Sequence, residues 1–262
     1  TVLENWKQKQ TSQLKMNEDL KSVLLSEVIQ ITHSVLRFLS ENEIRIIELK
    51  IIPNIYNTAP SDEMEYISFL LQAKLIRRDA IAILELANKI VPSRVRKRGI
   101  ETGEKQQLKI VEETSFDLFW EKLLVPNLYS KYNSKPIHTV EEITYLKSKF
   151  PKLIRQFNVY FNDKIVAGTT IFESENVAHC QYISKFEGTE NLGSLDFLYS
   201  FLIKEIFAKK PFFDFGISNE AQGKKLNEGL SYWKESFGAS TVVHDFYEVK
   251  TINYKAFETV LI

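Results

Sequence analysis

VAHCQYISKFEGTENLGSLDFLYSFLIKEIFAKKPFFDFGISNEAQGKKLNEGLSYWKESFGASTVVHDFYEV, residues 177–249, decides the fold. An apolar run (Val177–Ser184) leads through a glycine-containing loop to an amphipathic segment (Ser194–Phe207). A second apolar run (Phe212–Ile217), a polar loop, a second amphipathic segment (Gly223–Phe237) and a last run (Thr241–Val249) follow. Two strands joined by a helix form a parallel pair, because such a crossover is right-handed and returns beside its start. Loops leaving such strands face one crevice, where α/β sheets bind ligands.

The first helix is expected to be capped by Ser194, to place Asp196 at its positive end and to close at Lys209, Lys210 and Pro211. Leu198, Leu202 and Ile206 share one face. In the second, Leu226, Leu230, Trp233 and Phe237 make the apolar stripe, Asn227, Ser231 and Lys234 make a polar one, and Gly238 ends the helix. Asn227 and Lys234, about two turns apart, share a face. Asp214 alone is charged in the Phe212–Ile217 run, and a buried carboxylate must be paired, hydrogen-bonded or protonated. Gly216 lets a backbone or ligand come close, and Ser218, Asn219 and Glu220 put polar groups at the strand's end.

Working outward, Thr1–Asn17 reads as an arm. Lys21–Asn42 is a helix with a stripe of Leu24, Val28, Ile31, Val35 and Phe38. Glu43–Ile52 and Leu75–Leu86 are strands, with a short helix from Ser61 to Ala73 between them. Lys89, Arg94, Arg96, Lys97, Arg98 and Lys105 form the basic cluster, on a helix that starts after Pro92 or Ser93. That cluster is either a solvated face or an anion site for phosphate or a nucleic-acid backbone. Leu108–Glu112 is a strand, Ser115–Tyr132 a helix, and Val140–Phe150 a helix opened by a Thr139/Glu142 capping box. Ile154–Phe161, Lys164–Phe172 and Val177–Ser184 form a meander turning at Asn162-Asp163. Gly168, inside its middle strand, marks a bulge or a close approach. The back half is β-β-β-α-β-α-β.

Lys plus Arg equals Asp plus Glu at 34 each, so net charge favours no polyanion, and DNA is not expected as a partner. The single cysteine, Cys180, excludes an internal disulfide and fits a reducing compartment. No apolar run approaches the roughly 20 residues of a membrane span. Thr1–Leu20 is too polar for a signal peptide. The cytoplasm is the expected location, and the absence of an initiator Met fits a chain that begins inside a longer protein. His33, His138, His179 and His244 lack metal-ligand spacing, so no metal is expected. There is no Gly-x-Ser-x-Gly elbow and no Walker loop.

The element order, with a Gly-bearing loop before the first helix, resembles the core of the GNAT acyltransferase superfamily. Seven words in order narrow the resemblance to FemAB-like proteins: Arg96-Lys97-Arg98-Gly99, Lys135-Pro136-Ile137-His138, Phe150-Pro151, Gln181-Tyr182-Ile183, Phe213-Asp214-Phe215-Gly216-Ile217-Ser218, Leu226-Asn227-Glu228-Gly229-Leu230 and Trp233-Lys234-Glu235-Ser236-Phe237-Gly238. The resemblance covers roughly Leu20 to Lys250. It implies an α/β fold of tandem GNAT-like domains with mixed sheets. The first, 1–112, is degenerate or shortened; the second, 113–250, holds the donor crevice; and a tail, 251–262, packs back on the first. It implies acyl transfer to a small-molecule amine, on an amino sugar or a cell-envelope precursor. The donor is acyl-CoA (acetyl-CoA) or, in the peptidoglycan-bridge branch, aminoacyl-tRNA. A non-catalytic binding module on the same fold is the reading from another class.

The donor loop, Phe186 to Ser194, departs from the usual pattern of Gln or Arg, then Gly-x-Gly or Gly-x-Ala, opening the helix. Gly188, Asn191, Gly193 and Ser194 remain the expected donor-binding positions, through amides at the helix start; Glu187 and Glu190 oppose a phosphate. Acyl transfer needs a proton acceptor, charge stabilisation at the oxyanion and alignment of the two substrates. By resemblance Lys234 serves the reacting carbonyl or a donor phosphate; otherwise it is an exposed helix lysine. Asp214 is a base, an orienting group for Lys234, or an acceptor within the sheet. Tyr182 is an acid, a substrate contact, or core. Asn227 binds donor or acceptor, and Arg96, Arg98, Ser218 and Asn219 are the expected substrate-binding residues.

Overall fold

A computed structural model describes residues 24–260. The Thr1–Asn17 arm and the start of the Lys21–Asn42 helix lie outside those residues. The chain forms two compact units: one from residues up to 51, 61–76 and from 246 onward, the other from 52–60 and 77–245.

The smaller unit holds α1 (Leu25–Glu41), β1 (Ile46–Lys50), α2 (Glu63–Leu70) and a 3-10 helix (Thr251–Thr259). β1 pairs antiparallel with residues 246–250 of β10 (Ser240–Lys250). Ile29, Leu36, Ile67, Leu71, Val249 and Phe257 form its core. The buried face of α1 therefore runs through Ile29 and Leu36, while Ile31, Val35 and Phe38 of the expected stripe are exposed. The face is set by Tyr254 and Phe257, whose rings meet His33 of α1 edge-on. The tail is held here: Thr251 donates to the Ile44 carbonyl (2.6 Å) and Asn253 to that of Leu71 (2.7 Å).

The larger unit contains β2 (Lys74–Glu85) from Arg77 on, α3 (Arg94–Lys105), β3 (Lys109–Glu113), α4 (117–132), α5 (Val140–Lys149), β4 (Ile154–Phe161), β5 (Lys164–Glu173), β6 (Val177–Lys185), α6 (Ser194–Phe201), β7 (Phe212–Ile217), the two-residue strands β8 (Asn219–Glu220) and β9 (Lys225–Leu226), and α7 (Glu228–Glu235). Its strands lie in the order β2-β7-β6-β5-β4-β3. Only β6 and β7 of these neighbours run parallel. This is the mixed α/β sheet expected. The meander turns at Asn162 and Asp163, both left-handed, as a tight hairpin requires. Gly168 proves to be a close approach: a Cβ there would lie 2.6 Å from the Phe119 ring, and the register shifts fall elsewhere, at Val166 in β5 and Gln181 in β6.

Two apolar layers cover this sheet. One is centred on Tyr199, Phe207, Phe213, Phe215 and Phe237, the other on Phe116, Phe119, Trp120, Leu123 and Ile143. α5 starts with the predicted capping box, Thr139 accepting from the Glu142 amide (3.2 Å) and Glu142 from that of Thr139 (2.8 Å). α4 widens to π geometry at Trp120–Leu124, just before Pro126, which has no N–H to give the helix. α6 also ends in a π turn, Leu202–Ile206.

Two helix starts differ from the sequence reading. α6 is capped by the left-handed Gly193, and the Ser194 hydroxyl is buried without a partner. α7 begins at Glu228 rather than Gly223. Residues 219–226 form a small hairpin whose turn uses Ala221, Gln222 and Gly223 with positive φ. A Cβ on Gly223 would strike the Arg78 carbonyl. The glycine thus marks a turn packed on β2, not a helix start.

Candidate active site

The parallel ladder of β6 and β7 is short: Val177, Ala178 and His179 pair with Phe212, Phe213 and Asp214. Two residues beyond Asp214, Gly216 takes φ = +75°, which a side chain would disfavour. That turn aims the Gly216 amide at Asp214 Oδ1 (2.6 Å). The carbonyl of the same residue accepts from Lys234 Nζ (2.9 Å), and the next carbonyl, Ile217, accepts a second N–H (2.5 Å). Lys234 is only 3% exposed. Burial lowers its pKa from 10.5 to about 8, so the proton is held loosely. An ammonium has three N–H groups; two are spent on carbonyls, and no carboxylate of the described residues forms an ion pair with it.

Asp214 is 1% exposed and accepts three hydrogen bonds. They come from the Gly216 amide, His179 Nδ1 (2.8 Å) and the Tyr56 hydroxyl (2.5 Å). Burial pushes the carboxyl up, but the hydrogen bond and charge of His179, with Tyr56 and Gly216, outweigh it, and its pKa falls below the usual 3.8. Burial and the adjacent carboxylate push the Tyr56 hydroxyl well above its ordinary range, so it stays protonated as a donor. His179 is the exposed member of this group, with 27% of its side chain open to solvent.

Lys234 and Asp214, singled out in the sequence, thus meet on one residue, Gly216. Tyr182 lies elsewhere: its hydroxyl is 2.6 Å from His138 Nδ1 and accepts from the His138 amide (3.2 Å). His138, with Trp120, Lys135 and Thr139, lines a cavity of about 450 Å³.

Arg96 points inward. It is 5% exposed, pairs with Asp196, donates to Ser236 Oγ (2.9 Å) and lies over the Trp233 and Phe237 rings. Arg98 is exposed on the same helix. Gly188 and Asn191 are in the loop before α6, with Gly188 left-handed and open to its surroundings. Gly193 and Ser194 are covered by α3: a Cβ on Gly193 would run into the Gly99 carbonyl, and one on Gly103 would lie 2.5 Å from Phe197 Cβ.

Asn227 is the N-cap of α7, accepting from the Leu230 amide (3.1 Å) and donating to Glu220 (3.1 Å), so it is not on a mid-helix stripe. Asn219 bridges strands, accepting from the Ala80 amide (2.6 Å) and donating to Asp79 (2.8 Å). Ser218 is buried beside it with its hydroxyl unpartnered.

The sequence reading overlooked His179 and Tyr56. His179 had a signal: it is the third residue of one parallel strand and Asp214 the third of the other, so the two must face each other. Tyr56 had none, because a loop residue more than 150 positions away carries no register.

The chain's helices and mixed sheet, with one parallel pair, have a GNAT-like, Fem-like fold. Among solved structures it is shared with FemX, at TM-score 0.62 and 8% identity, over 84% of this chain and 76% of that one. It is shared also with the C-terminal domain of a protein assigned as a lysylphosphatidylglycerol synthetase from Agrobacterium fabrum, at TM-score 0.57 and 10% identity, over 87% of this chain and 75% of that one. A conserved protein of unknown function from Bacteroides thetaiotaomicron matches at TM-score 0.57 and 11% identity, over 85% and 75%. No family model matches the sequence, and no curated protein matches it. Among the described residues no helix is long and apolar enough to cross a membrane, and no group of three or more His, Cys, Asp or Glu could hold a metal ion.

Proposed function

We propose that this chain transfers an acyl or aminoacyl group from an activated carbonyl donor to an amine, on an amino sugar or a cell-envelope precursor. One observation carries the reading: a buried ammonium, Lys234, is fixed by two carbonyls at the end of β7, with one N–H left to give. A fixed, desolvated donor of this kind suits a tetrahedral oxyanion and is worth about 3 kcal/mol in the transition state. The fold shared with FemX supports the same class.

The choice of donor turns on the start of α6. In a CoA-dependent enzyme the amides there would receive a pyrophosphate. Here α3 packs over Gly193, and Asp196, within the first turn, already places a carboxylate at that positive end and is paired with Arg96. The exposed Arg94, Lys97 and Arg98 on α3 are available instead to a phosphate backbone. These features favour aminoacyl-tRNA over acyl-CoA.

The test is binding and transfer with both donors. Charged tRNA is expected to bind with an affinity that falls steeply with salt, and acetyl-CoA is expected not to bind at micromolar concentration. Micromolar acetyl-CoA binding would reverse the choice of donor. Lys234→Ala is expected to cut turnover about a hundredfold or more with its circular dichroism spectrum kept. Undiminished turnover in that variant would remove Lys234 from the chemistry, and a wild-type chain inert to every donor would leave a binding module.

A further inference from the structure

We infer that His179 is the proton acceptor for the attacking amine and that Asp214 and Tyr56 are positioning residues that set its tautomer; this rests on the transferase reading above. The three side chains belong to three separate segments of the larger unit and converge on one carboxylate. Asp214 itself is 1% exposed with its oxygens occupied by the Gly216 amide, Tyr56 and His179, so it cannot meet a substrate. His179 can. Its ring is partly open, its Nδ1 faces the carboxylate, and among the described residues its Nε2 has no partner.

A carboxylate accepts and does not donate, so Nδ1 must carry the hydrogen and Nε2 of the neutral ring must hold the lone pair. Tyr56 reinforces this. Its hydroxyl can only donate to the carboxylate, and with the Gly216 amide it keeps Asp214 ionised and fixed in rotation. The loop carrying Tyr56 is itself tied down, since Asn176 Nδ2 at the β5–β6 turn donates to the Asn57 carbonyl (2.5 Å). A lone histidine on a sheet needs none of this apparatus.

The step balances simply. The amine lone pair forms the new C–N bond, and the proton that the nitrogen must lose moves to His179 Nε2. When the tetrahedral intermediate collapses, the bond from carbon to the donor's oxygen or sulfur breaks. Its electron pair leaves with that atom, which takes the proton back from the imidazolium. The ring ends neutral, ready for another turnover.

Two measurements read the ring without any substrate. Long-range proton–nitrogen NMR of the wild-type chain at pH 8 is expected to show His179 in the Nδ1–H form. A ring protonated on Nε2 alone would overturn the assignment. Diethyl pyrocarbonate, with peptide mapping, is expected to modify His179, about tenfold more slowly in Asp214→Asn than in the wild type, with His138 unchanged. A His179 that resists the reagent, or reacts equally in both proteins, would also overturn it. Once a donor is found, His179→Gln should lower kcat by about 10²- to 10⁴-fold with KM little changed. A chain that shows the reactive ring but transfers nothing sinks the transferase reading. An active chain with an inert ring sinks only the role of His179.

Discussion

Two charged clusters in the larger unit each centre on a buried, hydrogen-bonded ion and differ in one respect. Around Arg96 the charge is neutralised within the protein: its side chain is 6% exposed and that of its carboxylate partner, Asp196, 16%. The guanidinium is held by Asp196 and Ser236, lies over the Trp233 and Phe237 rings, and Trp233 Nε1 adds its own hydrogen bond to Asp196 (3.0 Å). Around Asp214 the carboxylate is more deeply buried, at 1% exposed, but one of its partners, His179, is 27% exposed and reaches the surface. The first cluster is closed and spends its charge on holding α3, α6 and α7 together. The second passes the influence of a buried charge to an accessible nitrogen. A perturbed carboxylate with an open partner is the arrangement associated with function, whereas a closed pair is associated with packing.

Breaking the closed cluster should have the largest effect on stability. Arg96→Ala leaves Asp196 without its cation beneath α3 and removes the planar group that lies over the Trp233 and Phe237 rings. Removing one partner of a buried pair costs about 3–5 kcal/mol. Urea unfolding followed by tryptophan fluorescence should show a loss of that size. A loss under about 1 kcal/mol would mean that the cluster contributes little and that the contrast drawn above is empty.

Lys234 sits between the two cases, being buried like Arg96 but held by carbonyls instead of a carboxylate. Its pKa is about 8 in the folded chain against the 10.5 of a free lysine side chain. Between these values the unfolded chain binds more protons, so stability rises with pH across that window. The difference, at about 1.4 kcal/mol per unit, is about 3–4 kcal/mol. Below pH 8 the ammonium is charged in both states and the full penalty stands. Denaturation of the wild type and Lys234→Met from pH 7 to 10.5 should therefore show the wild type gaining on the variant as pH rises. Parallel curves would mean that the ammonium is not desolvated as described.

These contrasts also show what one sequence can disclose. The elements around β7 were legible because their periodicity is strong: Ile154–Phe161 and Phe212–Ile217 fall where the alternation and apolar runs put them. The Thr139 box was legible because capping is local. The start of α7 was not, because Leu226 continues the helical spacing of Leu230, Trp233 and Phe237 while the backbone of 219–226 is fixed by Gly223 against β2, a contact with no local trace. For the same reason Arg96 and Arg98 read alike in the sequence. Whether an arginine two places along a helix faces solvent or an aspartate is decided by Asp196, a hundred residues away. Asp214 stood out as the one charge in an apolar run and Lys234 through the family resemblance, but the link between them, Gly216, whose amide meets one and whose carbonyl meets the other, appears only in three dimensions.

The smallest stability effect should come from the same helix as the largest. Lys97 and Arg98 are exposed, and no hydrogen bond or ion pair of their side chains occurs among the described residues. Exposed charges of this kind contribute between about 0 and 1 kcal/mol, so Lys97→Ala with Arg98→Ala should leave the urea midpoint almost where it was. If they touch a nucleic-acid backbone, their effect lies elsewhere. Each lost phosphate contact lowers the slope of log affinity against log salt by about one unit, so tRNA binding by the double variant should be weaker and flatter in salt. Unchanged slopes would detach the basic face from the donor. A large stability loss would mean that this face, like Arg96, belongs to the closed cluster.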